Sequence, residues 1–144
     1  MQIREIMAKD KAGVIPFYRR DDGEILMMFR TPSDLNFGGT KPQVAKGGID
    51  KGETVYQAAV REGAEELGLL LDNIVSTFPI PVQKIKGTDE TYKLHMFAVE
   101  IEDPTHFGQH DYETAEVMWM TAAEFATVGR NNQQALVKQA ASII

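Results

Sequence analysis

The chain has 144 residues, 43% of them hydrophobic and 25% charged, with a net charge of −6 and no cysteine. These values describe one globular domain, residues 1–144, with length enough for a true core. They exclude disulfide and thiolate chemistry and a general binder of duplex nucleic acid, which needs a basic surface, but not a phosphorylated small molecule met by local cations.

Residues 12–18 and 24–29 are apolar runs separated by Arg19-Arg20-Asp21-Asp22-Gly23, a polar turn, and predict a β-hairpin. Ile25 to Phe29 lacks alternation, which suits a strand covered on both faces. Pro16 points to an edge position or a bulge in the first strand. Residues 31–42 combine prolines and glycines with little periodicity and predict a long loop, a place where function concentrates.

Helix signals follow Gly52. Thr54-Val55-Tyr56-Gln57 matches a capping box and Gly68 a C-terminal stop. Tyr56, Val60, Gly63 and Leu67 share a core side, while Glu62, Glu65 and Glu66 fall about 120° or more away. Carboxylates at i, i+3 and i+4 repel by roughly 0.2–0.5 kcal/mol per pair, so stability alone does not select them. A divalent cation would turn that repulsion into a binding site.

Residues 74–85 and 92–101 read as strands joined by the turn at 86–90, the second apolar on both faces and therefore central. A polar loop at 103–112 leads to a short strand at 117–120, and Thr121-Ala122-Ala123-Glu124 is a second capping box. After Asn131-Asn132 a last helix places Leu136, Ala140 and Ile143 with Ile144 on one stripe. The order β-β-α-β-β-β-α, with doubly buried central strands, predicts an α/β fold with a mixed sheet between helices. No apolar run reaches the roughly 18 residues that span a bilayer and no signal-like segment follows the start, so a cytoplasmic protein without membrane contact is expected.

Gly47, Glu53 and Arg61-Glu62-Gly63-Ala64-Glu65-Glu66-Leu67-Gly68-Leu69 resemble the Nudix box, G-x5-E-x7-R-E-U-x-E-E-x-G-U, where U is a bulky aliphatic residue. Every fixed position matches. Gly63 departs at an aliphatic position, on the core face, so the departure bears on packing rather than on ligands. The flanking hairpin, the later strands, the Val-Met-Trp-Met strand and the terminal helix are similar to the Nudix α/β/α sandwich. The resemblance implies a metal-dependent pyrophosphohydrolase. Its substrate would be a nucleoside diphosphate linked to another moiety, a dinucleoside polyphosphate or an ADP-ribose-like molecule, and water would attack at phosphorus. Mg²⁺ would be the cofactor, with Mn²⁺ as the alternative.

By the same resemblance Glu62, Glu65, Glu66 and the Gly47 carbonyl would hold the metal. Arg61 would orient the carboxylates, and Glu53 would orient a ligand or a water. The general base would be a box glutamate such as Glu66 or an acidic residue ahead of Trp119, with Glu113 favoured and Glu116 in reserve. Lys46 and Arg30 are candidate phosphate contacts, and Phe37 leads Tyr18, Phe107 and Tyr112 as an aromatic for base stacking. His106 and His110 read as surface residues and His95 as packed. Lys46-Gly47-Gly48-Ile49 is similar to the P-K-G-H/G-I segment of enzymes acting on dinucleoside polyphosphates, with Ala45 in place of the proline. The proline and tyrosine spacings that mark the ADP-ribose and dinucleoside polyphosphate branches are not met by Pro79, Pro81 or Tyr92. A nucleoside triphosphate house-cleaning enzyme and a nucleotide-sensing module without turnover stay open. So does a homodimer.

Overall fold

The computed structural model describes residues 10–34, 36, 39–87 and 91–144. Seven strands run β1 (Lys11–Arg19), β2 (Ile25–Pro32), β3 (Ala45–Gly48), β4 (Ile74–Pro79), β5 (Gln83–Lys86), β6 (Thr91–Ile101) and β7 (Thr114–Met120). The α-helices are α1 (Val55–Leu67), α2 (Ala122–Val128) and α3 (Gln134–Ile143). The strands form one mixed sheet in the order β4-β6-β1-β2-β7, with β3 paired to β1 and β5 to β6. β1 and β6 are parallel and the other pairs antiparallel.

Period-two alternation along β1 builds the layers. Ala12 and Val14 pack with Ala58 and Ala59 of α1, while Ile15 and Phe17 join Phe125 of α2 and Leu136, Val137 and Ala140 of α3. The sheet therefore lies between helices, the expected α/β/α sandwich, and the doubly covered β1, β2 and β6 account for the unbroken apolar runs.

Five expectations need correction. β1 is central, and Pro16 sits where the strand changes partner: β3 pairs with it as far as Val14 and β2 from Phe17 onward. On that side of β1 Pro16 falls in a gap between two pairings, while on the other it is paired with Val99 of β6, so it marks neither an edge nor a bulge. Residues 74–85 are two strands, interrupted at Ile80-Pro81-Val82. β3 appears where only a glycine-rich segment was read, because its pairing with β1 supplies what its side chains do not. β7 begins at Thr114, so Glu116 lies within it, and on α3 Val137 is buried while Ile143 is exposed. The turn residues 88–90 lie outside the described residues.

Candidate active site

Both ends of α1 are set by local chemistry. Thr54 Oγ1 accepts the Gln57 N–H at 3.0 Å and Gln57 Oε1 accepts the Thr54 N–H at 2.9 Å, the predicted capping box. Gly68 closes the helix at φ 76°, the left-handed region that glycine enters without strain. The last two turns therefore carry Glu62, Glu65 and Glu66. The aliphatic departure has a physical cause: a Cβ on Gly63 would stand 2.6 Å from Val14 Cγ2 and 3.0 Å from Leu69 Cδ2. The helix approaches β1 too closely for a side chain there.

The three glutamates are not equivalent. Glu62 and Glu66 are buried, at 8% and 7% exposure, whereas the Glu65 side chain is 46% exposed. β3 crosses above the buried pair. A Cβ on Gly47 would run into the Glu62 carboxylate, and the Lys46 N–H donates to Glu66 Oε1 at 3.1 Å. Backbone and carboxylate thus meet so closely that a side chain at Gly47 would have to push the Glu62 carboxylate aside.

Arg61 gathers the acids. Its Nε and Nη2 donate to the two oxygens of Glu53 at 2.8 and 2.9 Å, and Nη1 reaches Glu62 at 3.0 Å and Glu65 at 3.4 Å. Nη2 also donates to the Gly48 carbonyl at 2.9 Å, tying α1 to β3. The forked guanidinium suits such bidentate work. Its hydrogen bonds, foremost, hold Glu53 below the usual carboxylate range, and the acids in turn, Glu53 foremost, raise Arg61. Burial dominates the other two: it raises Glu62, with help from the Glu65 charge, and pushes Glu66 up to about 7 despite Arg30.

Arg30 is buried on β2. Its Nε donates to Thr114 Oγ1 at 2.7 Å, Nη2 to the Glu113 carbonyl at 2.7 Å, and Nη1 stands 3.6 Å from Glu66. These bonds commit it to fixing the segment before β7, although it still lines the pocket. That segment is also fastened to the end of α1. The Gly108 N–H donates to the Gly68 carbonyl and the Asp111 N–H to the Glu65 carbonyl, both at 2.7 Å, and Thr114 Oγ1 donates to the Glu66 carbonyl at 2.8 Å. Helix carbonyls left without intrahelical partners are satisfied by the loop. The Glu113 backbone is consequently held and only its exposed side chain is free to turn. Its charge adds to the raising of Glu62, which places it on the same side as the acids.

A cavity of about 430 Å³ opens beside this cluster, with Glu66, Arg30, Lys46 and Glu113 in its wall. Lys11, Tyr92 and Arg130 also line it, and none was assigned to the site from sequence, since residues 11, 92 and 130 meet only through the fold. Tyr112, 87% exposed, stands at the rim. Burial lowers the Lys46 ammonium to about 8. Tyr18 and Phe107 instead pack edge-on against Trp119, at 4.8 and 5.9 Å between centroids. His106 pairs with Asp72 at 2.9 Å and the ring of His110 bonds the Asp111 carbonyl. Phe37 lies outside the described residues.

The donor set suits a hard divalent cation. It is all oxygen, and the buried pair Glu62 and Glu66 resists ionisation in a way that a nearby cation would relieve. Among the described residues no three acidic or imidazole side chains converge into a ready cage, and Arg61 stands between Glu62 and Glu65. Mg²⁺ does not need a cage, because it keeps waters and takes phosphate oxygens as ligands.

The sequence matches the NUDIX domain over residues 7–140. The chain belongs to the Nudix family. A Nudix hydrolase of Rhodococcus erythropolis, orf19, is 32% identical over 123 residues, covering 78% of this chain and 63% of that protein. This Nudix chain therefore spans somewhat less than two thirds of that relative's length. Among solved structures, the Ap4A hydrolase binary complex of C. elegans superposes with a TM-score of 0.74 at 16% identity, over 92% of this chain and 95% of that one. The NUDIX domain of Shewanella oneidensis NrtR complexed with ADP ribose gives 0.75 at 14% identity, over 99% and 92%. Both likenesses concern the Nudix fold. Among the described residues no helix is long and apolar enough to cross a membrane.

Proposed function

We propose that this chain is a divalent-metal-dependent pyrophosphohydrolase. On this reading a single domain, working in the cytoplasm, cleaves a nucleoside diphosphate linked to a further moiety. The observation that carries the reading is the buried pair Glu62 and Glu66, Glu62 beneath the Gly47 backbone and Glu66 on the wall of a cation-lined cavity. Glu62, Glu65, Glu66 and the Gly47 carbonyl would hold Mg²⁺, or Mn²⁺. When bound, the ion neutralises the pyrophosphate oxygens and polarises the reacting phosphorus.

The protein's own residues do the rest. Arg61 and Glu53 keep the glutamates in place through the charge-assisted bonds described above. Glu113 receives the proton of the attacking water, its backbone fixed by Arg30 and its side chain free to reach. Lys46 meets a substrate phosphate, Arg30 secures the base-bearing segment, and Tyr112 offers a ring to the nucleobase.

Turnover of ADP-ribose, diadenosine polyphosphates, sugar nucleotides and nucleoside triphosphates, each with Mg²⁺ and with chelator, tests the proposal. At least one substrate should be hydrolysed only with the metal. Glu66→Gln should cut that turnover by orders of magnitude while the circular dichroism spectrum stays unchanged. Near wild-type activity in the variant would sink the metal-site assignment. The likeness to the NrtR domain bound to ADP ribose favours a second reading, nucleotide sensing without turnover. Saturable binding across the panel with no hydrolysis would establish it.

A further inference from the structure

The cavity has two chemically different ends, and strand pairing sets their order. β5 pairs with β6 at Ile85 and Tyr92, β6 with β1 at Leu94 and Lys11, and β1 with β3 at Lys11 and Gly48. Beyond β3, Gln43 bridges to Arg30 of β2, and Pro32 at the end of β2 pairs with Thr114 of β7. The wall therefore runs from Gly87 and Tyr92, past Lys11 and Lys46, to Arg30, and ends at Glu113 and Tyr112. Glu66 lies in the middle, against Lys46 on one side and Arg30 on the other.

The first end is cationic. Lys11 Nζ lies 4.5 Å and Lys46 Nζ 5.5 Å from the centroid of the same Tyr92 ring. Arg130 joins them from the turn between α2 and α3, its N–H anchored to the Pro42 carbonyl at 2.9 Å. Among the described residues none of these three cations forms an ion pair with a carboxylate. Two ammonium groups over one ring gain cation–π attraction but repel each other, and Arg130 adds to that repulsion on Lys46. In a chain of net charge −6, three such cations collected on one cavity wall match an anion.

We propose that Lys11, Lys46 and Arg130, arranged around Tyr92, form an anionic subsite for a phosphate beyond the scissile pyrophosphate. This selects substrates with a chain of three or more phosphates over those whose second moiety is a neutral sugar. The inference rests on the pyrophosphohydrolase reading and deepens it. Lys46 alone is placed to meet the pyrophosphate itself. Lys11 lies on β1, beyond β3 in the order of strands along the wall, and Arg130 enters from the turn between α2 and α3, so the two extend the cationic wall past Lys46.

Two measurements test it. In the first, kcat/KM is compared for diadenosine tetraphosphate, ATP and ADP-ribose with saturating Mg²⁺, using wild type, Lys11→Met, Arg130→Met and the double variant. Both phosphate-chain substrates should exceed ADP-ribose in the wild type. Each substitution should remove about tenfold of that preference, the worth of one charge-assisted contact. ATP and the dinucleotide differ in whether the far phosphate is free or capped, and either one preferred supports the subsite. A wild type that favours ADP-ribose, or variants that slow all three substrates equally, would overturn the proposal.

The second measurement is calorimetric binding of inorganic tripolyphosphate in chelator, which needs neither metal nor turnover. Wild type should bind it and the double variant should bind about a hundredfold more weakly. Equal binding, or none to wild type, rejects the subsite. If the wild type hydrolyses nothing in the panel, the catalytic reading fails by itself and tripolyphosphate binding still decides the subsite. Methionine keeps the apolar stem of each half-buried side chain and breaks no ion pair among the described residues, and the single variants stand in should the double variant unfold.

Discussion

Glu66 is a carboxylate in a place that favours its neutral form. Burial carries it up to about 7, whereas the unfolded chain titrates near 4.5. Between those values the folded state holds the extra proton. Its contribution to stability is therefore complete below about pH 4.5 and is lost as pH rises through about 7. A divalent ion takes the ionised carboxylate, so its binding competes with that proton. In chelator the melting temperature should decline over this window relative to Glu66→Gln. With Mg²⁺ added, the rise in melting temperature should be small near pH 5.5 and clearly larger near pH 8. Differential scanning calorimetry at fixed ionic strength checks both arms. A metal-induced shift independent of pH would mean that Glu66 is not a ligand.

At the scale of elements, α1 joins readings that succeeded with readings that did not. Its cap, its stop and its core side were legible because each depends on residues within about one turn of one another. The carboxylate side was legible as chemistry but not as environment: the sequence places three acids together, yet only β3 decides that Glu62 and Glu66 are covered and Glu65 is not. β3 itself, Ala-Lys-Gly-Gly, has no β-forming side chains and becomes a strand by pairing with β1. The break at Ile80-Pro81-Val82 coincides with a proline, whereas Pro16 lies inside a central strand. A proline alone does not tell a strand end from a change of partner. The contact of α1 with β1 also makes an unexpected demand. Gly63→Leu restores the residue type that the box prefers and gains about 1 kcal/mol of helix propensity. It should nevertheless destabilise the fold by about 1–3 kcal/mol, because Val14 and Leu69 occupy the space. Urea denaturation reads the outcome, and a stabilised variant would refute the packing account.

Across the whole molecule, the site is built by a sheet that forks. β1 pairs with β3 at one end and β2 at the other, and the fork brings together Lys11, Lys46, Glu66, Glu113 and Arg130 from five separate stretches of chain. Lys11 and Arg130 could not be found from sequence, since no local pattern links positions so far apart. The half of the candidate site proposed to perform chemistry was visible in a single helix, and the half proposed to select the molecule was distributed across the fold. The order of strands along the cavity has a stereochemical consequence. With cations at one end and an aromatic ring beside an acid at the other, a substrate with a nucleoside at one extremity and charge at the other has one favourable direction of entry. Only one of its phosphorus atoms then faces Glu113 and water. Hydrolysis in ¹⁸O-labelled water should accordingly place the label in one product and not the other, so that the handedness of the sheet is written into the regiochemistry of bond cleavage.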